Sequence, residues 1–94
     1  MLETGATPGH DRERGTEIKP DAQIRWQRIA PPDFVKSHKH NRGHFTIVVG
    51  DITMRTPHGW HRIVNDWFYV PADLEHELHP NAPSTYFCVG REDF

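Results

Sequence analysis

From residue 31 onward, turn formers interrupt this chain so often that only short segments are left between them. The sequence holds eight prolines and seven glycines, and many stand in clusters: Pro31-Pro32-Asp33, Asn41-Arg42-Gly43, Gly50-Asp51, Pro57-His58-Gly59, Asn65-Asp66, Pro71-Ala72-Asp73 and Pro80-Asn81-Ala82-Pro83. Proline, glycine, asparagine and aspartate suit the backbone conformations of turns and break regular elements. The runs between them are rich in β-branched and aromatic residues, the composition of strands. Ile24 and Trp26 alternate with Arg25 and Gln27, as in a half-buried strand, and Phe34 to His40 is a second extended run. His44 to Val49 is expected to pair back onto Ile52 to Thr56 through a hairpin turn at Gly50-Asp51. Trp60 to Val64, Trp67 to Val70, His76 to His79 and Thr85 to Val89 complete a set of seven or eight short strands. No segment sustains a 3.6-residue apolar period, so helix is expected to be minor. The pattern predicts an all-β sandwich or barrel.

Ninety-four residues make one domain, and 35% hydrophobic residues with a mean hydropathy of -0.75 allow only a small core. Small domains are commonly held by disulfides, a metal or oligomerisation. A single cysteine, Cys88, excludes an internal disulfide and leaves the other two. A formal charge of -2 with mixed signs gives no basic footprint for nucleic acid. The apolar run from Phe45 to Val49 is far too short to span a bilayer. The first residues lack the basic and apolar regions of a secretory signal, so a cytoplasmic location is expected. Residues 1–20 are polar and aperiodic and read as a flexible lead-in to a domain over 21–94, although a tail so close to a small barrel could dock on an edge.

Chemistry concentrates in His38-Lys39-His40-Asn41-Arg42-Gly43-His44. Imidazole is the commonest side-chain metal ligand because its ring nitrogen is available near neutral pH. Residues two apart on a strand point the same way, so His38 and His40 can grip one ion. A turn through Gly43 could return His44 to it, and His76 follows the Pro71 to Glu75 run.

His38-x-His40-x3-His44-x5-Gly50 followed by Pro71-x-Asp73-x2-His76 resembles the two sequence motifs of the cupin superfamily, over roughly residues 22 to 91. In that family the first motif usually reads H-x-H-x3-E-x6-G and the second contains P-x-G-x2-H. The resemblance implies a small double-stranded β-helix, or jelly roll, with His38, His40, His44 and His76 meeting one metal inside the barrel. His44 stands where the family usually has glutamate, like the subset of small cupins with an all-histidine site. The gap to Gly50 is one residue shorter than usual. Asp73 replaces the glycine of the second motif, and Asn65 stands where that motif usually opens with glycine; both residue types tolerate left-handed turn conformations.

Four neutral imidazoles would leave a divalent ion its full charge. Iron(II) or manganese(II) is favoured, with nickel, zinc and copper as further candidates; a six-coordinate ion keeps two positions for a chelating substrate or O2, whereas a tetrahedral zinc would be closed. The expected function is a metal-dependent oxidoreductase of dioxygenase type acting on a small chelating carbonyl or enol. Its rivals are a non-redox isomerase, lyase or cyclase, and a non-catalytic binding module. Tyr86 and Cys88 share a strand face and are expected to line the pocket, though a buried, inert Cys88 is the simpler reading. His79 should face away from His76, and His58 and His61 should lie at the surface. Arg42 and Arg62 are either carboxylate binders or solvated. Trp26, Trp60, Trp67, Phe34, Phe45 and Phe68 are core or interface candidates, and a homodimer is expected from the small size and low apolar content. No catalytic general base is evident.

Overall fold

A computed structural model describes residues 2–4, 13–18 and 22–91. Ten antiparallel strands form two sheets: β1 (Leu2–Thr4), β2 (Glu13–Ile18), β3 (Gln23–Ile29), β4 (Val35–His38), β5 (His44–Val49), β6 (Asp51–Thr56), β7 (Gly59–Val64), β8 (Trp67–Val70), β9 (His76–Pro80) and β10 (Ser84–Gly90). The larger sheet has the order β1-β2-β3-β10-β5-β8 and the smaller β4-β9-β6-β7. No helix occurs among the described residues. This is the all-β architecture expected from the turn spacing, in the jelly-roll form that the resemblance to cupins implies.

The hairpin expected between β5 and β6 does not form. β5 pairs with β10 and β8, whereas β6 pairs with β7 and β9, so the chain crosses from one sheet to the other at Gly50. Gly50 has φ 124° and marks this corner, where its N–H donates to Asn65 Oδ1 at 2.8 Å and the Asn65 N–H donates back to its carbonyl at 3.0 Å. Asn65 (φ 47°) and Asp73 (φ 62°) both adopt the left-handed conformation for which their short polar side chains are suited. Within the expected lead-in, Glu13–Ile18 is a strand paired along β3, and Leu2–Thr4 pairs with it in turn. Residues 5–12 and 19–21 lie outside the described residues, and His10 with them.

The core is small. Ile29, Val48, Ile52, Met54 and Leu78 form its buried cluster, with Val35, Ile63, Phe68 and Tyr86 packed on it. It fills one half of the space between the sheets. Along β5 the inward residues run His44, Thr46, Val48, and along β9 His76, Leu78, Pro80, so the inner surface passes from polar to apolar over three positions. The other half is the polar chamber described below.

The larger sheet is unusual in its polarity. On β3 the alternation is as expected, but Arg25 and Gln27 share the inner face with buried Ile29, while Ile24 and Trp26 line the outer one. On β5, Phe45, Ile47 and Val49 are exposed while His44, Thr46 and Val48 are buried. Four of the six aromatic core or interface candidates, Phe34, Phe45, Trp60 and Trp67, are therefore exposed in the chain, Trp26 is half-buried on the outer face, and only Phe68 packs against the core.

Gly50 and Gly59 share a positive φ, of 124° and 122°, but not their surroundings. A Cβ at Gly50 would overlap Ser84 Oγ and stand 2.7 Å from Ser84 Cβ and 3.0 Å from its Cα, whereas one at Gly59 meets nothing within 4 Å. Gly59→Ala should therefore cost only the backbone strain, about 1–2 kcal/mol, and Gly50→Ala about 3 kcal/mol or more. Urea unfolding of the two variants checks this, and equal losses would refute the role of the Ser84 contact.

Candidate metal centre

His38 and His76 are brought together by sheet pairing, since they are register partners of β4 and β9. Their ring centroids are 4.3 Å apart. His40 lies just beyond the end of β4, with its ring 4.9 Å from His38 and 5.4 Å from His76. The two sequence motifs are tied directly: the Asp73 N–H donates to the His40 carbonyl at 2.8 Å, and Ser37 Oγ donates to Glu75 Oε1 at 2.7 Å. The left-handed turn at Asp73 thus positions both His40 and His76.

One ring nitrogen from each of His38, His40 and His76 lies within 4.8 Å of the others. Two bonds of about 2.1 Å to one ion hold ligand nitrogens at most ~4.2 Å apart, so the cluster is near the required spacing. The tautomers also fit. His38 Nδ1 is 2.7 Å from the Lys36 carbonyl and His76 Nδ1 is 2.8 Å from the Leu74 carbonyl. A carbonyl oxygen only accepts, so each Nδ1 carries the proton and each Nε2 presents its lone pair. Such partners fix ring orientation at metal sites. The residues therefore fit a divalent metal ion, with three imidazoles as donors.

His44 comes from β5 on the facing sheet. It is buried, with its ring 4.6 Å from His40 and 6.0 Å from His76. Burial, followed by the neighbouring His40, His76 and His38 and then Arg25, lowers its pKa to about 4. His76 is lowered as well, mainly by burial, against the opposing hydrogen bond from its ring to Leu74. Both rings are thus neutral near pH 7, the form that ligates metal.

The facing wall follows from strand register. Cys88 on β10 stands between Thr46 on β5 and Arg25 on β3, and Tyr86 between Val48 and Gln27. Cys88 and Tyr86 thus share the inner face. Cys88 Sγ is 3.7 Å from Thr46 Oγ1, and burial pushes its thiol up to about 11, which keeps it neutral. Tyr86 Oη donates to Gln27 Oε1 at 2.7 Å. Arg25 and Gln27 were missed in the sequence as inner-face residues, because their polarity suggests the solvent side of a half-buried strand.

The remaining candidates fall elsewhere. His79 faces away from His76, stacked on Phe34 at 4.9 Å and beside Trp60 at 5.4 Å. Arg62 is on the outer surface, where its Nε donates to Asp51 Oδ1 at 3.0 Å. Arg42, His58 and His61 are exposed.

No family model and no curated protein matches this chain. Solved structures do. AerE from Microcystis aeruginosa superposes with a TM-score of 0.79 at 17% identity over 96% of this chain, which spans only 46% of that protein. A cupin superfamily protein from Desulfitobacterium hafniense gives 0.78 at 12% identity, covering 92% of this chain and 82% of that one. An RmlC-like cupin from Shewanella frigidimarina gives 0.75 at 17% identity, covering 100% and 87%. The fold is that of a cupin.

Within this cupin barrel, the buried histidines make the metal-free protein sensitive to acid. A histidine whose folded pKa lies below its unfolded value of ~6.5 binds fewer protons folded than unfolded, so stability falls as pH drops below 6.5 and stops falling near the folded pKa. For His44 that window is 6.5 down to about 4. Asp51, lowered to about 2 by hydrogen bonds from Arg62 and Asn81, acts only below its ordinary value of 3.8. Urea midpoints of metal-free protein should therefore decline between pH 6.5 and 4.5, and His44→Gln should flatten the slope by up to ~1.4 kcal/mol per pH unit. An unchanged slope would refute the buried, neutral His44.

Proposed function

We propose that this cupin is a metal-dependent oxidoreductase of dioxygenase type acting on a small chelating carbonyl or enol substrate. The observation that supports it most is the convergence of His38, His40 and His76, two of them held by backbone carbonyls in the ligating tautomer. His44, beside His40, is proposed as the fourth ligand. Iron(II) or manganese(II) in this site would supply Lewis acidity and one-electron redox chemistry towards dioxygen.

The chain's own residues bind, orient and exclude water. Lys36 and Leu74 hold two of the imidazoles through their carbonyls. Val48, Met54 and Leu78 close the inner end of the chamber with apolar surface. Thr46 and Cys88 line the wall as a neutral pair.

Wild-type protein and His79→Ala should each retain one iron or manganese per chain, while His40→Ala should lose it, as measured by atomic absorption. Retention should fall from pH 8 to pH 5 as protons compete for the imidazoles. Iron-loaded protein should consume oxygen with small β-diketones or 2-oxo acids in an oxygen electrode. Turnover that persists anaerobically, or with zinc, would replace this reading by a non-redox one. Ligand binding without turnover under any metal would leave a binding module.

A further inference from the structure

The two sheets part between β7 and β8, each the last strand of its own sheet, and the gap holds a cavity of about 270 Å³. Register and strand length explain it. Ile52, Met54 and Thr56 of β6 are buried, and β7 sets Ile63 beside Ile52 and His61 beside Met54, so both β7 side chains point inward as well. On the facing sheet, Phe68 of β8 stands across from buried Thr46 and packs against the core. With four residues, β8 is too short to cover the six of β7, and the His61 end of the gap stays open.

This cleft adjoins the histidine cluster at two points. Leu74 lines it, and the Leu74 carbonyl is the group that holds His76 Nδ1 at 2.8 Å. Thr56 lines it too, and the β6–β9 ladder, which pairs Arg55 with Glu77, sets Thr56 beside His76 when carried one step further. His61 lies two strands across and two residues along from His76, roughly 12 Å between Cα atoms at ordinary strand spacing. A molecule the size of a substituted ring reaches from one to the other.

The walls select for the kind of molecule. Met54, Ile63 and Leu74 supply aliphatic surface, Phe68 a ring from one sheet and His61 a ring from the other. No Lys, Arg, Asp or Glu is among the described residues that line the cleft. Thr56 steadies the imidazole: its Oγ1 lies 3.3 Å from His61 Nε2 and accepts the His58 N–H at 3.1 Å. The volume equals that of about nine waters at ~30 Å³ each, room for one ring and its substituents. An aromatic ring between two ring side chains gains edge-to-face or offset-stacked contacts that an alkyl chain lacks.

We propose that this cleft is the subsite for an aromatic ring carried by the ligand of the histidine cluster, with His61 and Phe68 on its two sides. The inference rests on the cluster being the metal site, and it narrows the substrate class to chelating carbonyls or enols that bear an aryl group.

Calorimetric titration of zinc-loaded protein with three β-diketones tests it: acetylacetone, benzoylacetone, in which phenyl replaces one methyl, and nonane-2,4-dione, in which pentyl does. Benzoylacetone should bind at least tenfold tighter than acetylacetone and severalfold tighter than nonane-2,4-dione. Ile63→Trp, which fills the cleft, should bring the benzoylacetone and acetylacetone affinities together with one zinc per chain retained. His61→Ala should weaken benzoylacetone severalfold. Should the tryptophan variant lose its dispersed amide spectrum, His61→Ala, at the exposed mouth, decides. Equal affinity for acetylacetone and benzoylacetone, a pentyl chain that binds as tightly as phenyl, or wild-type benzoylacetone affinity in either folded variant would overturn the proposal. In metal-free protein, benzoylacetone at millimolar concentration should still shift the methyl NMR signals of Met54, Ile63 and Leu74. Those shifts in a protein that retains no zinc remove the metal reading and leave the cleft. Zinc retention and acetylacetone binding with no gain from phenyl remove the cleft alone.

Discussion

The antiparallel ladder that β10 forms with β3 on one side and β5 on the other sets almost everything else in this molecule. Side chains alternate with period two along each strand, so a ladder in fixed register assigns whole rows to one face. Here it places His44, Thr46 and Val48, Tyr86 and Cys88, and Arg25 and Gln27 towards the smaller sheet. A slip of one residue would exchange all of these for Phe45, Ile47, Phe87, Trp26 and their neighbours. The chamber and the outer apolar face are two consequences of one register.

The interior is divided between stability and chemistry. At one end, Ile29, Val48, Ile52, Met54 and Leu78 form a core that is small because the chain is small. At the other, the same strands contribute imidazoles, a thiol, hydroxyls and a guanidinium. Burial there depresses the affinity of His44 and His76 for protons, a cost in stability that leaves both rings neutral and able to ligate. The backbone carbonyls of Lys36 and Leu74 then decide which nitrogen faces the cluster. Tolerance of left-handed backbone at Asn65 and Asp73 lets the chain turn where glycine would be the commoner choice.

Much of this was legible beforehand. The turn clusters delimited most strands, and the His-x-His spacing with the later Pro-x-Asp-x2-His segment indicated three side chains that do converge. The departure of His79 from the site was readable from its odd separation from His76. The failures have physical causes. Gly50-Asp51 looks like a hairpin because it joins two strands, but both strands have their hydrogen bonds taken by other partners, and local sequence does not record which sheet a strand joins. Arg25 and Gln27 looked solvent-facing because polar residues usually are.

By itself, then, the sequence determined the strand-and-turn texture, the small core and the histidines His38, His40 and His76 that could hold a metal ion, since each depends on local conformational preference or on side-chain chemistry alone. Only the tertiary structure decided which face of β3 and β5 points inward, that Arg25 shares a chamber with the histidines, and that a broad apolar surface stays open on the outside. Period-two alternation is symmetric between the two faces of a strand. The choice between them is made by long-range pairing and by what the opposite sheet presents, and neither is written in the strand itself.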